Sequence, residues 1–271
     1  MTDYGLDRSA EILSRAFEDY FVRIPFPVTT LLKLARTDSV DLASSRVFVR
    51  DGIAIGAALL ARRGWTSRLA AMAVVLEARR SGIGRAAVLH LLAEAKALGG
   101  RTMVLEVIEQ NTAAVELYRG CGFKEIRRLI GFAGVAAGVS TRKDSTDLVE
   151  VDLREVAAAV SRHGLPDLPW QLSGETIAQL APPALGYRSD GAWIAISDPA
   201  APVVNIHALI AKPAAHGLGR EAALLRAVMA KHSRANEWRL NPKWPEELAP
   251  VIEPVGLPRM PLTQWQMHRS L

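Results

Sequence analysis

The chain has 271 residues, 49% hydrophobic and 23% charged, which excludes a disordered chain and leaves room for one large domain or two ordinary ones. A net charge of +5 is too small to argue nucleic acid, and no Lys/Arg run is interleaved with aromatics as single-strand binders require. No stretch reaches about eighteen apolar residues, the N-terminus has no basic leader, and the single cysteine, Cys121, suits a reducing compartment, so a cytoplasmic protein with no membrane partner is expected.

Residues 6–21 place Leu6, Ile12, Leu13, Ala16, Phe17 and Tyr20 near helical spacing and predict a first helix. Pro25 and Pro27 break it, and a second helix is expected from Thr30 to Arg36 with Thr29 or Thr30 as cap. Arg46 to Arg50 and Ala54 to Leu60 are strand-like runs joined by Asp51 and Gly52, a strong hairpin signal. A third apolar run, Leu69 to Leu76, leads toward a glycine turn, Arg79-Arg80-Ser81-Gly82-Ile83-Gly84. From Gly84 the period becomes helical, with Ala87, Val88, Leu91, Ala95 and Leu98 on one face, until Gly99 and Gly100 stop it. A strand from Thr102 to Ile108, a helix with Ala114, Leu117, Tyr118 and Cys121 on one face, and a strand from Lys124 to Phe132 complete a mixed α+β domain over residues 1–140.

Residues 133–147 lose periodicity and read as a linker, leaving a second domain over 146–271. There Leu148 to Leu153 predicts a strand, followed by a helix to His163, a Pro- and Leu-rich passage, and strands at 192–197 and 203–211. Gly217 and Gly219 open another helix, then come a strand at 237–240, a short helix at 245–253 and a last strand at 261–268. The order strand, Gly-x-Gly, helix, strand, helix, strand repeats that of the first half, so the second half is read as a diverged copy of the same fold. All of the excess charge lies in residues 1–140, which hold 19 Lys/Arg against 14 Asp/Glu.

A glycine turn at a helix start offers free backbone N–H groups and the positive end of the helix dipole to a phosphate. Gly82-x-Gly84-x-x-Ala87 with Glu106 downstream matches a dinucleotide fingerprint, which would make a nicotinamide-dependent oxidoreductase. In that fold, however, the strand runs straight into the first glycine, whereas here residues 77–81 intervene, and the turn lies beyond a hairpin and two helices. The ordered pair Arg79-x-x-Gly82-x-Gly84 and Asn111-x-x-Ala114-x-x-Leu117-Tyr118-x-x-x-Gly122-Phe123 resembles the GNAT superfamily of N-acetyltransferases. The resemblance covers residues 6–132 by element order, and the whole chain resembles tandem members in which a degenerate GNAT-like domain follows the first.

That resemblance implies acetyl-CoA as co-substrate, no metal, and acetyl transfer to a primary amine by direct attack in a ternary complex. It implies that backbone groups of Ala73, Val74 and Val75 pair with the pantetheine arm. The N–H groups of Arg80, Ser81, Gly82, Ile83, Gly84 and Arg85 would hold the pyrophosphate, with Arg79 and Arg80 adding charge. Asn111 would bond the pantetheine or brace the tyrosine, and Tyr118 would protonate the departing thiolate. A phenol of pKa near ~10 keeps its proton at pH 7 and so can serve as an acid, with the Val74 amide as oxyanion donor. The strand before the glycine turn, residues 68–75, carries no acid to act as base; Glu106 and Glu109 are the nearest, each equally readable as a solvated strand-end charge. An already neutral amine or a water chain would also serve.

The remaining signals read as structure. Cys121 is a small apolar residue with no histidine at motif distance, and the six histidines show no metal-ligand spacing. His90 falls on the solvent side of its helix, and five of the six tryptophans lie in the second half as core. In the second copy Ala214 stands where the motif has Arg or Gln and no tyrosine helix follows, so that domain is expected to shape the acceptor cleft or form a homodimer contact. A CoA-binding sensor without chemistry is the alternative reading of the first domain.

Overall fold

The computed structural model describes residues 1–22, 25–135, 147–215, 219–234 and 237–271; most of the expected linker, and Gly217 of the second glycine turn, lie outside them. The chain divides into two compact units, one of residues 1–126 with 266–271 and one of residues 127–265. These bounds differ from the expected 1–140 and 146–271 for two reasons. The strand after Gly122 carries on past residue 126, and the last strand of the chain returns to the first unit.

In the first unit, helices α1 (Leu6–Ala16) and α2 (Val28–Thr37) precede strands β1 (Arg46–Arg50), β2 (Ile53–Arg63) and β3 (Thr66–Val74). Helix α3 (Ile83–Ala97), strand β4 (Thr102–Ile108) and helix α4 (Thr112–Gly120) follow. Helix α1 ends at Ala16, short of the expected residue 21, and just beyond it the Phe17 ring packs on those of Tyr20 and Phe26. Helix α2 starts on Pro27 rather than on a threonine: the Pro27 carbonyl accepts from Thr30 and Leu31, and proline has no N–H to leave unsatisfied there. The β1–β2 hairpin turns on Asp51 and Gly52, at φ 51° and 77°, the two left-handed residues such a loop demands.

β1, β2 and β3 pair antiparallel, and β3 pairs parallel with β4. The β2–β3 register skips Ala70, so that Leu60 faces Leu69 while Leu59 faces Ala71. That bulge adds twist where β3 leaves its other neighbour: pairing with β4 ends at Leu69↔Leu105, although β3 continues to Val74. One edge of β3 beyond Leu69 is thereby opened. Gly56 on β2 lets that segment lie close, since a Cβ there would sit 2.4 Å from the Ala73 carbonyl oxygen and 3.0 Å from Val74 Cα. Deeper in the sheet, Arg68 Nε donates to Glu106 Oε2 at 2.8 Å and its other arm reaches Asp38 at 3.4 Å, with Arg68 and Glu106 only 5% and 4% exposed.

Strand β5 (Lys124–Gly134) leads into the second unit, which continues with β6 (Val149–Val151), α5 (Leu153–His163) and α6 (Gly174–Ile177). Then come β7 (Leu185–Ser189), β8 (Ala192–Ile196), β9 (Val203–Ala211), α7 (Arg220–Lys231), β10 (Glu237–Pro245) and α8 (Ala249–Ile252). The closing strand, β11 (Gln264–Ser270), lies beside β4, and the Leu271 N–H donates to Arg101 O at 2.9 Å. β6 to β9 pair antiparallel in order and β9 pairs parallel with β10, the same grammar as β1 to β4. The internal repeat is therefore real at the level of topology, and the fold is a mixed α/β sheet. β7 arises inside the passage expected to be irregular; Asp190 and Gly191, at φ 47° and 75°, are its hairpin turn to β8. β10 outruns its expected end at residue 240 because its pairing with β5 shifts register between Leu240 and Trp244, and Pro242 sits in that irregularity. The core of this unit includes Phe132, Ile194, Ile206, Leu225, Trp238 and Trp244. Among the described residues no helix is long and apolar enough to cross a membrane.

Two outcomes test these constraints by urea denaturation. Arg68→Ala leaves the Glu106 carboxylate buried without its guanidinium and is expected to cost about 3–5 kcal/mol, which replacing Glu106 as well should partly recover. Gly56→Ala forces backbone rather than a side chain to move and should cost about 1–3 kcal/mol.

Candidate active site

The opened edge of β3 forms one wall of a cavity of about 540 Å³, lined there by Met72, Ala73 and Val74. Strand geometry decides which of their backbone groups face it. Val75 N–H donates to Ile55 O at 2.9 Å, so on an antiparallel ladder Val75, Ala73 and Ala71 point their amides and carbonyls at β2. Met72 and Val74, the alternate residues, turn theirs toward the opened edge. Of the three residues expected to offer backbone pairing, only Val74 is therefore oriented for it, and Met72 joins it.

The second wall is the glycine turn. Gly82 caps α3 at φ 81°, in the left-handed region, and a Cβ there would meet nothing; its conformation, and not crowding, demands glycine. Arg80 is also left-handed, at φ 56°. The Ala86 N–H closes the first helical bond onto Gly82 O, which leaves the amides of Ile83, Gly84 and Arg85 without intrahelical partners. Arg80, Gly82, Gly84 and Arg85 line the cavity; Ser81 and Ile83 do not, and the Ser81 hydroxyl donates instead to Ala78 O at 2.7 Å. Arg85 also donates to Gly120 O at 2.9 Å, tying α3 to the end of α4.

Arg79 lines the cavity without being available to a ligand. Its guanidinium donates to both oxygens of Asp19 at 2.6 and 2.7 Å, to Ala16 O at 3.2 Å and to Val74 O at 2.8 Å. That bonding holds the Asp19 carboxyl below its ordinary value. Arg15 and Glu77 form a second ion pair across the same gap. Arg79 thus straps the end of α1 to the end of β3, a role the sequence did not disclose.

The third wall comes from α4. Asn111 is its N-cap, with Oδ1 accepting from Ala114 N–H at 3.2 Å. Its side chain also bonds the hydroxyl of Tyr20, which sequence reasoning placed in a helix and did not connect with the site. Tyr118 lines the cavity but is only 7% exposed, its ring edge-on to Phe123 with centroids 5.8 Å apart. Burial pushes the Tyr118 phenol above its ordinary value, and Tyr20 and Cys121 beside it add to the shift. Burial likewise raises Tyr20, against the pull of Asn111, and raises the Cys121 thiol. Phe17, Tyr20 and Phe21 form an aromatic side of the cavity.

The two expected carboxylates are not in the lining. Glu106 lies on β4 with its carboxylate held by Arg68, and Glu109 stands in the turn before Asn111. Among the described residues no group of three or more His, Cys, Asp or Glu is placed to hold a metal. His90 is exposed and faces Glu94 at 3.4 Å. A smaller, apolar cavity of about 220 Å³ in the second unit lies among Val160, His163, Leu209 and Trp244.

Residues 9–123 match the model of the Acetyltransferase (GNAT) family. A search of curated proteins by sequence returns no match. Among solved structures, a GCN5-related N-acetyltransferase from Sphaerobacter thermophilus is similar with a TM-score of 0.73 at 14% identity, over 98% of this chain and 93% of that one. A tandem GNAT protein from the clavulanic acid biosynthesis pathway is similar with a TM-score of 0.64 at 16% identity, over 99% and 95%. A putative acetyltransferase from Pyrococcus horikoshii gives 0.66 at 12% identity, over 98% and 86%. Residues 9–123 thus match the acetyltransferase (GNAT) family, and the whole chain shares the fold of a tandem GNAT protein.

Proposed function

We propose that the first unit transfers an acetyl group from acetyl-CoA to a primary amine by direct attack in a ternary complex. The observation that supports this most is one cavity shared by an opened strand edge, a glycine-capped helix start and a buried phenol. The amides of Ile83, Gly84 and Arg85, with the Arg80 and Arg85 side chains, hold the pyrophosphate of the co-substrate. Met72 and the Val74 N–H pair with the pantetheine arm and thioester, the Val74 amide being the donor placed for the oxyanion. Arg79 occupies the Val74 carbonyl, so it orients this edge in place of binding phosphate.

Tyr118 faces the leaving sulfur in this reading. Full proton transfer from a phenol at or above ~10 to a thiolate near ~8.5 is uphill by about 2 kcal/mol or more. Tyr118 therefore acts chiefly by hydrogen-bonding the sulfur as negative charge grows on it, and the proton shed by the attacking nitrogen completes the thiol. Asn111 caps α4 and binds Tyr20, which keeps the helix start and the aromatic side in register. Neither Glu106 nor Glu109 is assigned as base, since neither lines the cavity. The same missing base favours a second reading, an acyl-CoA sensor without turnover. We assign no acyl transfer to the second unit, where the short α8 after β10 carries no tyrosine.

Thermal denaturation with acetyl-CoA and, separately, NADH tests the cofactor. Acetyl-CoA at a hundred times its Kd should add about 2.7 kcal/mol, and stabilisation by NADH alone would sink the proposal. Tyr118→Phe should lower kcat by about 10–100-fold with acetyl-CoA affinity unchanged, the worth of one charge-assisted hydrogen bond. An undiminished kcat removes Tyr118 from the chemistry, and absent thiol release with every amine favours the sensor.

A further inference from the structure

We infer that the acceptor is an aromatic amine whose nitrogen is already neutral at pH 7, such as an aniline; this rests on the acetyl-CoA reading above. Three features of the cavity converge on it.

The first concerns the base. An alkylamine of pKa near ~10.4 leaves only about one molecule in a few thousand neutral at pH 7, so a site serving it forfeits some three orders of magnitude unless it removes that proton. Among the described residues lining the cavity there is no Glu, His or Lys, and the one carboxylate, Asp19, is gripped through both oxygens by Arg79. That grip holds the carboxyl below its ordinary value and makes the carboxylate a weaker proton acceptor. An arylamine needs no such group, because its lone pair, delocalised into the ring, does not hold a proton at neutral pH.

The second feature is charge. With Asp19 neutralised, Arg80 and Arg85 leave the lining net positive. Once the pyrophosphate satisfies them, no carboxylate among the described lining residues is left to pair a second ammonium, which argues against polycationic acceptors such as polyamines.

The third is shape and surface. Phe17, Tyr20 and Phe21 line the cavity with their rings joined edge-on, at 5.1 Å for Phe17–Tyr20 and 5.8 Å for Tyr20–Phe21. Phe21 is 54% exposed, a large apolar ring left uncovered on a cavity wall. Edge-on and offset rings are the arrangement that receives another aromatic. The Arg79–Asp19 and Arg15–Glu77 pairs hold this segment in place beside β3.

In the reaction the arylamine nitrogen forms a C–N bond to the thioester carbonyl, whose electrons move to oxygen against the Val74 amide. The C–S bond then breaks, the sulfur leaves against Tyr118, and the N–H proton released from the adduct ends on the thiol, giving an anilide and CoA. No other reactant is required.

The test is thiol release by the full chain with acetyl-CoA and three acceptors: 4-methoxyaniline, benzylamine and spermidine. At pH 7 the kcat/KM for 4-methoxyaniline should exceed that for benzylamine by about tenfold or more and that for spermidine further. Its rate should be flat between about pH 6.5 and 8.5, while the benzylamine rate climbs about tenfold per pH unit. Phe21→Ala should raise the KM for 4-methoxyaniline about tenfold with acetyl-CoA binding unaltered. Preference for benzylamine or spermidine at pH 7, or an unmoved KM in the Phe21 variant, overturns the inference. Acetyl-CoA binding without arylamine turnover overturns it while sparing the cofactor reading, whereas failure to bind acetyl-CoA removes both.

Discussion

The parting of β3 from β4 after Leu69 is what the rest of the first unit depends on. A strand fully paired on both sides has no backbone group to offer, and a buried backbone group left unpaired is costly. The extra residue at Ala70 resolves that conflict by letting β3 keep β2 through Val75 while releasing its other edge. The groups attributed to the pantetheine arm follow from this irregularity: Met72 and Val74 turn outward, and the cavity opens between β3 and α4. Gly56 serves the same end from the far side, since only a residue without Cβ allows β2 to stay in contact with the twisted segment.

An opened edge must also be held open. Arg79 does this with four acceptors, so that the carbonyl of Val74, the carbonyl of Ala16 and both oxygens of Asp19, just beyond α1, share one guanidinium. Side chains here are 37% and 46% exposed, so the pair contributes little to global stability and much to local geometry. By contrast, the Arg68–Glu106 pair is buried, is not among the residues lining the cavity, and fixes the paired part of β3 and β4. Two arginines eleven residues apart thus divide the work, one locking the closed half of the strand pair and the other the open half.

The sequence disclosed most of the elements because periodicity, glycine and hairpin chemistry are local properties. Asp51 with Gly52, the α3 face from Ala87 to Ala95, and the Asn111 cap all read directly from neighbouring residues. The β7–β8 hairpin was equally legible through Asp190 and Gly191, but the prolines before it masked the signal. What sequence could not convey were the facts that need two distant segments at once. The pairing of Glu106 with Arg68 withdraws a proposed base, and the bonding of Asp19 to Arg79 withdraws a proposed phosphate ligand. Tyr20 reaches Asn111, ninety-one residues away in sequence, from the segment beyond the end of α1. The alternation of backbone groups along β3 depends on a bulge that no letter pattern marks.

The two units also separate what belongs to the fold from what belongs to chemistry. Both have antiparallel strands followed by a parallel partner, and in both the helix between begins on a left-handed glycine, Gly82 at φ 81° and Gly219 at φ 72°. A left-handed glycine at that place is therefore a device for turning the chain from strand into helix, and its presence alone says nothing about a ligand. In the first unit the same turn is joined by Arg80 and Arg85, by an N-capped α4 bearing Tyr118, and by an aromatic side built from the residues after α1. In the second, β10 is followed by a four-residue helix with neither asparagine cap nor phenol. The acyl-transfer reading thus rests on the constellation around the turn and not on the turn, and Tyr20, Phe21 and the Asp19–Arg79 pair belong to that constellation. On the proposed reading those are the positions that bear on acceptor choice, as distinct from cofactor binding.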